Sequence, residues 1–387
     1  MKKISLKFGP VAVVGKALTM VALLAGCAIM ASATDYYVSS TGSDSNPGTS
    51  AAPFKTIQKA AGVATAGSTV HVLPGTYNTT STITTSRSGT DAAHIRFLST
   101  VQWGAKIVSK MGKTTSTTWS NTGSYVDFVG FDLTGDGNEG FLNYGSYVSF
   151  IGNHVHNYPG SSVCGSNTGA GINAGTSYTG HNNSVIGNVV HDIGTPAKCN
   201  FGQGIYVANP YATVSNNVSY HNGAYGLCFW HAATEEVISS NLVFGNGLGG
   251  IWVGASYGSV SFSYSTISNN IIVSNQASGV SGYGIRNGGG MGTHNQFLNN
   301  IIYGNVIETS GITATGTIAA DPQFVSPTGN FMTGNYHVKS TSPAINKGTS
   351  IGAPTIDFDG GLRPSGGGWD IGAYQNSSTA AQWPYEM

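Results

Sequence analysis

From Val148 onward the chain repeats one nine-residue pattern in which apolar and polar positions alternate. It reads VSFIGNHVH (148–156), SVIGNVVHD (184–192), TVSNNVSYH (213–221), VISSNLVFG (237–245), TISNNIIVS (266–274) and QFLNNIIYG (296–304), with VDFVGFDLT (126–134) as an earlier, imperfect copy. The aligned residues Asn153, Asn188, Asn217, Asn241, Asn270 and Asn300 are separated by 35, 29, 24, 29 and 30 positions. Between the copies lies a second alternating phrase: GINAG (171–175), GIYVA (204–208), GLCFW (226–230), GIWVG (250–254) and GIRNG (284–288). Alternation of period two marks a strand with one buried face. Three short strands per repeat, two of them flanking the Asn and one beginning Gly-Ile, predict the rung of a parallel β-helix. Asn suits the tight bend because it tolerates left-handed backbone, and stacked Asn side chains can hydrogen-bond along the coil.

A solenoid exposes unpaired backbone at its ends and needs caps. Residues 53–66 place Phe54, Ile57, Ala61 and Ala64 on one helical face, with Pro53 in the first turn, as an N-terminal lid. Residues 321–387, rich in turn formers, form the expected C-terminal cap and tail. The predicted organisation is a single all-β domain over 34–387: cap and first rungs over 35–118, central rungs over 119–320, then the tail. Residues 1–33 read as an export signal: Lys2, Lys3 and Lys7, an apolar run from Ala17 to Met30, and the small residues Ala31-Ser32-Ala33. Leu24-Ala25-Gly26-Cys27 offers lipidation at Cys27 as the alternative, but folded sequence begins at Asp35 and leaves almost no tether. Lys16 cuts the apolar run below the length of a membrane span. The expected location is secreted or periplasmic.

Composition narrows the partners. Only 8% of residues are charged, with 16 basic, 16 acidic and 56 Gly. Removing residues 1–33 takes four Lys and no acid, so the mature chain is mildly acidic. Phosphate recognition needs clustered Lys and Arg, so a nucleic-acid partner is excluded. A monomer is expected.

DYYVSSTGSDSNPGTSAAPFKTIQKA, the following VHVLPGTY and the WDIGAY tail resemble secreted bacterial right-handed β-helix proteins, among them family 9 polysaccharide lyases. With the repeats, the resemblance spans almost all of residues 35–375. It implies a right-handed parallel β-helix and, from pectate-lyase-like helices, the Gly-Ile strands as the substrate-facing sheet. The outward column is then Asn173, Tyr206, Cys228, Trp252 and Arg286, with Trp230 beyond it. Tyr, Trp, Asn and Arg suit sugar rings, whose apolar faces stack on aromatics while hydroxyls take polar partners. Cys164 and Cys199 fall in neighbouring loops before two of these strands and are expected to form a disulfide.

Between residues 140 and 300 the charged side chains are Asp192, Lys198, Glu235, Glu236 and Arg286, accompanied by seven His. β-Elimination from a uronate needs a cation for the carboxylate, a base for the C5 proton and an acid for the leaving oxygen. Arg286 fits the first, Lys198 or His231 the second and Tyr206 the third. Asn173, His221, Trp230, Trp252 and Glu235 are the expected substrate contacts. Calcium-dependent pectate lyases gather several carboxylates on adjacent rungs, whereas these rungs offer only Glu235 and Glu236, which argues against calcium in the cleft. Asp132, Asp136 and Glu139 form a weaker candidate metal group near the first rung, and keep a glycoside hydrolase open. A non-catalytic glycan-binding solenoid is the third class. His156 and His191 align with Tyr220, Phe244, Val273 and Tyr303, as in a stack behind the cleft. His154 and His156 have metal-pair spacing but no evident third ligand.

Overall fold

Every copy of both phrases forms strands in a computed structural model, which describes residues 34–112, 116–160, 169–176, 178–194, 202–275 and 282–376. The export signal, Cys27, Cys164, Lys198 and Cys199 lie outside the described residues. Three parallel sheets run the length of the coil. The first, from Asp35–Val38 to Gln296–Leu298, holds the strands before the Asn; the second, from Gly75–Thr79 to Ile301–Tyr303, holds those after it. The third, from Ile83–Thr85 to Ile307–Ser310, holds the Gly-Ile strands and is called the GI sheet below.

Alternation decides what fills the coil. Phe150, Val185, Val214 and Ile238 from the first sheet meet Val155, Val190 and Val243 from the second and Ile172, Ile205, Leu227 and Ile251 from the third, all essentially inaccessible to solvent. The Gly of the GI phrase has a steric origin. A Cβ on Gly226, Gly250 or Gly284 would lie 2.4 Å from Val243, Ile272 or Ile302 of the second sheet. Only a residue without a side chain lets the GI strand begin so close to its neighbour.

The bend works differently from the expectation. The left-handed residue is the one before each aligned Asn: Gly152, Gly187, Asn216, Ser240, Asn269 and Asn299 have φ between 50° and 65°. The aligned Asn supplies the ladder instead. Asn241 Oδ1 accepts from both the backbone N–H and the Nδ2 of Asn217 (2.9 and 3.0 Å), and Asn241 repeats both contacts onto Asn270 (3.0 and 2.9 Å). Each Nδ2 also reaches a backbone carbonyl, Val214 in the case of Asn241. A second ladder, Asn222–Asn246–Asn275–Asn305, lines the bend between the second sheet and the GI sheet, with backbone-to-Oδ1 contacts of 2.9–3.1 Å. These buried amides are satisfied by one another, which is the condition for tolerating them inside.

The N-terminal helix is shorter than expected, Ile57–Val63. Pro53 precedes it, and Phe54 instead bridges Val38. Thr56 is the N-cap because Asp44 holds it: the carboxylate accepts from the backbone N–H groups of Lys55 and Thr56 and from the Thr56 hydroxyl.

The C-terminal segment also departs from its expected end-cap position. The hairpin Phe324–Ser326/Asn335–Val338 and the WDIGAY residues pack on the outer face of the second sheet, burying Leu242, Phe244 and Ile271 against Phe324, Tyr336, Ile371 and Tyr374. Along its course it is bonded to successive turns, from Asn216 to the Ile356 carbonyl, Ser239 to Gly352, Ser268 to Ile351 and Asn269 to Thr349.

Candidate functional site

Strand pairing places the outward GI column in one line. Leu142 pairs with Asn173, Asn173 with Tyr206, Tyr206 with Cys228, Cys228 with Trp252, Trp252 with Arg286 and Arg286 with Ser310. Three residues earlier on the same strands a second outward row carries Glu139, Tyr225 and Tyr283. Adjacent rungs are about 4.8 Å apart, so Glu139 and Arg286, five rungs apart, stand roughly 24 Å from each other along the face.

Arg286 sits in an aromatic seat. Its guanidinium lies 5.2 Å from the Trp252 ring and 4.6 Å from the Tyr283 ring, and Nη1 donates to the Tyr225 hydroxyl at 3.0 Å. No carboxylate among the described residues pairs with it. Burial pushes the Tyr225 phenol up to about 12, partly offset by Arg286, so the contact is a neutral hydroxyl accepting from a cation. Trp252 meets Tyr225 and Trp230 edge-on at 4.8 and 5.6 Å. Both tryptophans lie across glycines of the next rung, since a Cβ on Gly288 or Gly254 would strike Trp252 or Trp230. Large rings over bare backbone, set 70° to each other, make an angled apolar surface beside a fixed cation.

His231 occupies a left-handed bend (φ 55°) just after Trp230. Its Nδ1 bonds Ser256 Oγ at 3.1 Å, leaving Nε2 without a partner among the described residues. The ring packs on Tyr178 and stands edge-on to Tyr206. Burial lowers its pKa, which favours a neutral imidazole able to accept a proton. Burial raises the Tyr206 phenol. Cys228 is buried beneath this surface with Tyr206, Trp230 and Trp252 around it, and burial likewise raises its thiol.

Glu139 is the carboxylate that the described GI strands turn outward; Glu308 turns to Asn305 Nδ2 instead. It accepts from Thr117 Oγ1 at 2.8 Å and Asn173 Nδ2 at 3.3 Å. Burial still raises its pKa above the ordinary value despite those two bonds. Asn173 Oδ1 is buried without a partner among the described residues, an acceptor waiting for a donor. A carboxyl whose pKa is raised on folding contributes stability below its unfolded pKa and loses it as pH rises. Glu139→Gln is therefore expected to gain stability relative to the parent at pH 7, with the gap closing towards pH 4. Urea midpoints of both chains at the two pH values check this, and a pH-independent gap refutes it.

Other candidates fall elsewhere. His221 lies in the bend after the second sheet, packed against Tyr220 and over Gly245, away from Trp230. Glu235 lies in the bend leading back to the first sheet (φ 57°), where its charge raises the Tyr211 phenol. Glu236 is fully buried and accepts from the Ala212 and Thr234 backbone. Asp132, Asp136 and Glu139 do not converge. Asp132 joins histidines on the second sheet, Asp136 caps the N–H groups of Met111 and Gly112, and Glu139 faces the GI groove. Among the described residues this face presents no oxygen-ligand group suited to calcium. Tyr225 and Tyr283 are not among the candidates drawn from the sequence, and Glu139 stands there only in a metal or hydrolase role, although YGLCF, YGIRN and EGFLN carry all three at one common offset before the Gly.

A family model described as "Pel9A-like, right handed beta helix region" matches residues 36–316. The crystal structure of pectate lyase Pel9A is similar over 88% of this chain and 96% of its own, with TM-score 0.54 and 18% identity. The structure of XylC with xylose matches 73% of this chain and 68% of its own, with TM-score 0.50 and 12% identity. Pectate lyase PEL9 of Emericella nidulans is 51% identical over 61 residues, which is 16% of this chain and 15% of that relative's length.

Proposed function

The chain belongs to the Pel9A-like right-handed β-helix family, and on that premise we propose that it is an exported polysaccharide lyase cleaving a uronate-containing glycan by β-elimination. One observation carries the reading: a guanidinium seated among aromatic rings with no carboxylate among the described residues to neutralise it. A sugar acid supplies both halves of the complement, an apolar ring face for Trp252 and Trp230 and a carboxylate for Arg286. Charge neutralisation there acidifies the C5 proton and stabilises the enolate that its removal creates. One base takes that proton: His231, neutral and with Nε2 free of partners among the described residues, or Lys198, from the segment before the Tyr206 strand. Tyr206 returns a proton to the leaving oxygen. Asn173 and Glu139 hold sugar hydroxyls further along the groove.

The raised pKa of Glu139 suits a general acid and so favours hydrolysis as the second reading. That chemistry needs a second carboxylate about 5–9.5 Å away, and the described GI strands turn no other outward. Export rests on the basic, apolar and small-residue order of residues 1–33. No helix among the described residues is long and apolar enough to cross a membrane.

Digestion of a panel of uronate and neutral polysaccharides tests the proposal. A new ultraviolet-absorbing unsaturated uronate is the expected product. Reducing ends without that absorbance replace the lyase with a hydrolase, and binding without cleavage replaces both with a glycan-binding solenoid.

A further inference from the structure

The second sheet carries a cluster unrelated to the GI groove. Its strands Asp132–Gly135, His154–Tyr158 and Val189–Ile193 lie side by side, with His154 opposite Asp132 and His156 opposite His191. His156, His191, Tyr220 and Phe244 stack in sequence at 5.2, 4.5 and 4.9 Å, as the alignment of these positions anticipates. Stacking does not account for the ring nitrogens. His154 Nε2 and His191 Nε2 face each other at 2.9 Å.

The opposite side of each ring faces an acid. His191 Nδ1 is 2.6 Å from Asp192 Oδ2, and His154 Nδ1 is 3.5 Å from Asp132 Oδ2. A carboxylate calls for an N–H at Nδ1, which leaves a lone pair on each Nε2. Two lone pairs at that separation repel unless a positive species lies between them. His156 donates Nε2–H to Asp132 Oδ1 at 3.0 Å, and so keeps a lone pair on Nδ1. One ligand atom from each of the three rings lies within 4.8 Å of the others.

We infer that His154, His156 and His191 bind a divalent transition-metal ion of the zinc, copper and nickel class, with Asp132 and Asp192 orienting the imidazoles from behind. Carboxylate–histidine–metal relays of this kind fix the ring and its tautomer. Imidazole donors select these ions over calcium and magnesium, which prefer oxygen. The two carboxylates balance a double positive charge. The His154 and His191 side chains are each 8% exposed while that of His156 is 17% exposed, so entry is from the His156 side. Trp103 covers His154 at 4.9 Å and acts as a local reporter.

The experiment uses the untagged full chain, stripped with chelator and titrated with zinc chloride by calorimetry and with nickel chloride by tryptophan fluorescence. One equivalent of zinc is expected to bind, and nickel to quench emission that Trp103→Phe removes. His156→Gln and His191→Gln should each weaken zinc at least tenfold, and Asp192→Asn about 10–100-fold. Calcium chloride should give no comparable heat. His191 is buried, so its variant counts only if circular dichroism shows the native fold; His156 and Asp192 are more exposed and decide the matter otherwise. Absence of stoichiometric zinc binding, or binding unchanged in folded His156→Gln and Asp192→Asn, overturns the site. Glycan cleavage enters none of these readouts.

Discussion

Arg286→Ala is expected to lower kcat/KM on a uronate polymer by roughly 10²–10³-fold, the usual cost of removing a charge stabiliser from a preorganised site. The guanidinium is held by Tyr225 and two rings before substrate arrives, so little ordering remains to be done at the moment of reaction. Arg286→Lys should recover only part of the loss, because an ammonium keeps the charge but not the planar fork or the stacking surface. The measurement is initial-rate absorbance of unsaturated product, with circular dichroism to confirm folding. Activity of Arg286→Ala within threefold of the parent would falsify the assignment.

Asn241→Ala should destabilise the coil by about 3–5 kcal/mol, well above an ordinary surface change. The substitution removes the acceptor of two Asn217 donors and the Nδ2 that serves Asn270 and the Val214 carbonyl. Each buried group left unpaired costs roughly 1–3 kcal/mol. Urea denaturation gives the number, and a loss below about 1 kcal/mol means that the ladder decorates the bend without holding it.

The rung, the outward GI column and the first Asn ladder were legible because each recurs at a spacing that survives variable loops. The second ladder recurs equally well, five positions after the first. Asn222, Asn246, Asn275 and Asn305 lie one residue beyond the nine-residue phrase, outside the alternation that defines it. His221, His231 and Glu235 looked like chemistry because charged or titratable residues are rare here. The backbone shows that all three also serve left-handed bends, a demand that local sequence does not separate from a catalytic one. His191 as partner to the 154–156 pair needed strand register across 35 residues or more. Steric fit likewise decided the tail, whose turn-rich composition predicts irregular backbone but not which face it covers.

That tail changes how the molecule comes apart. A bare solenoid frays from its ends, one repeat at a time, because each repeat touches only its neighbours. Here one strip of chain is fastened across several consecutive coils, through contacts separated by 80 to 140 residues in sequence. It can dock only once those coils are already stacked, so it is a late arrival in folding. Once docked it acts as a batten: no single coil beneath it can peel away without lifting the strip from the others, and the coils it spans, the seventh to ninth of the ten in the first sheet, unfold as one piece.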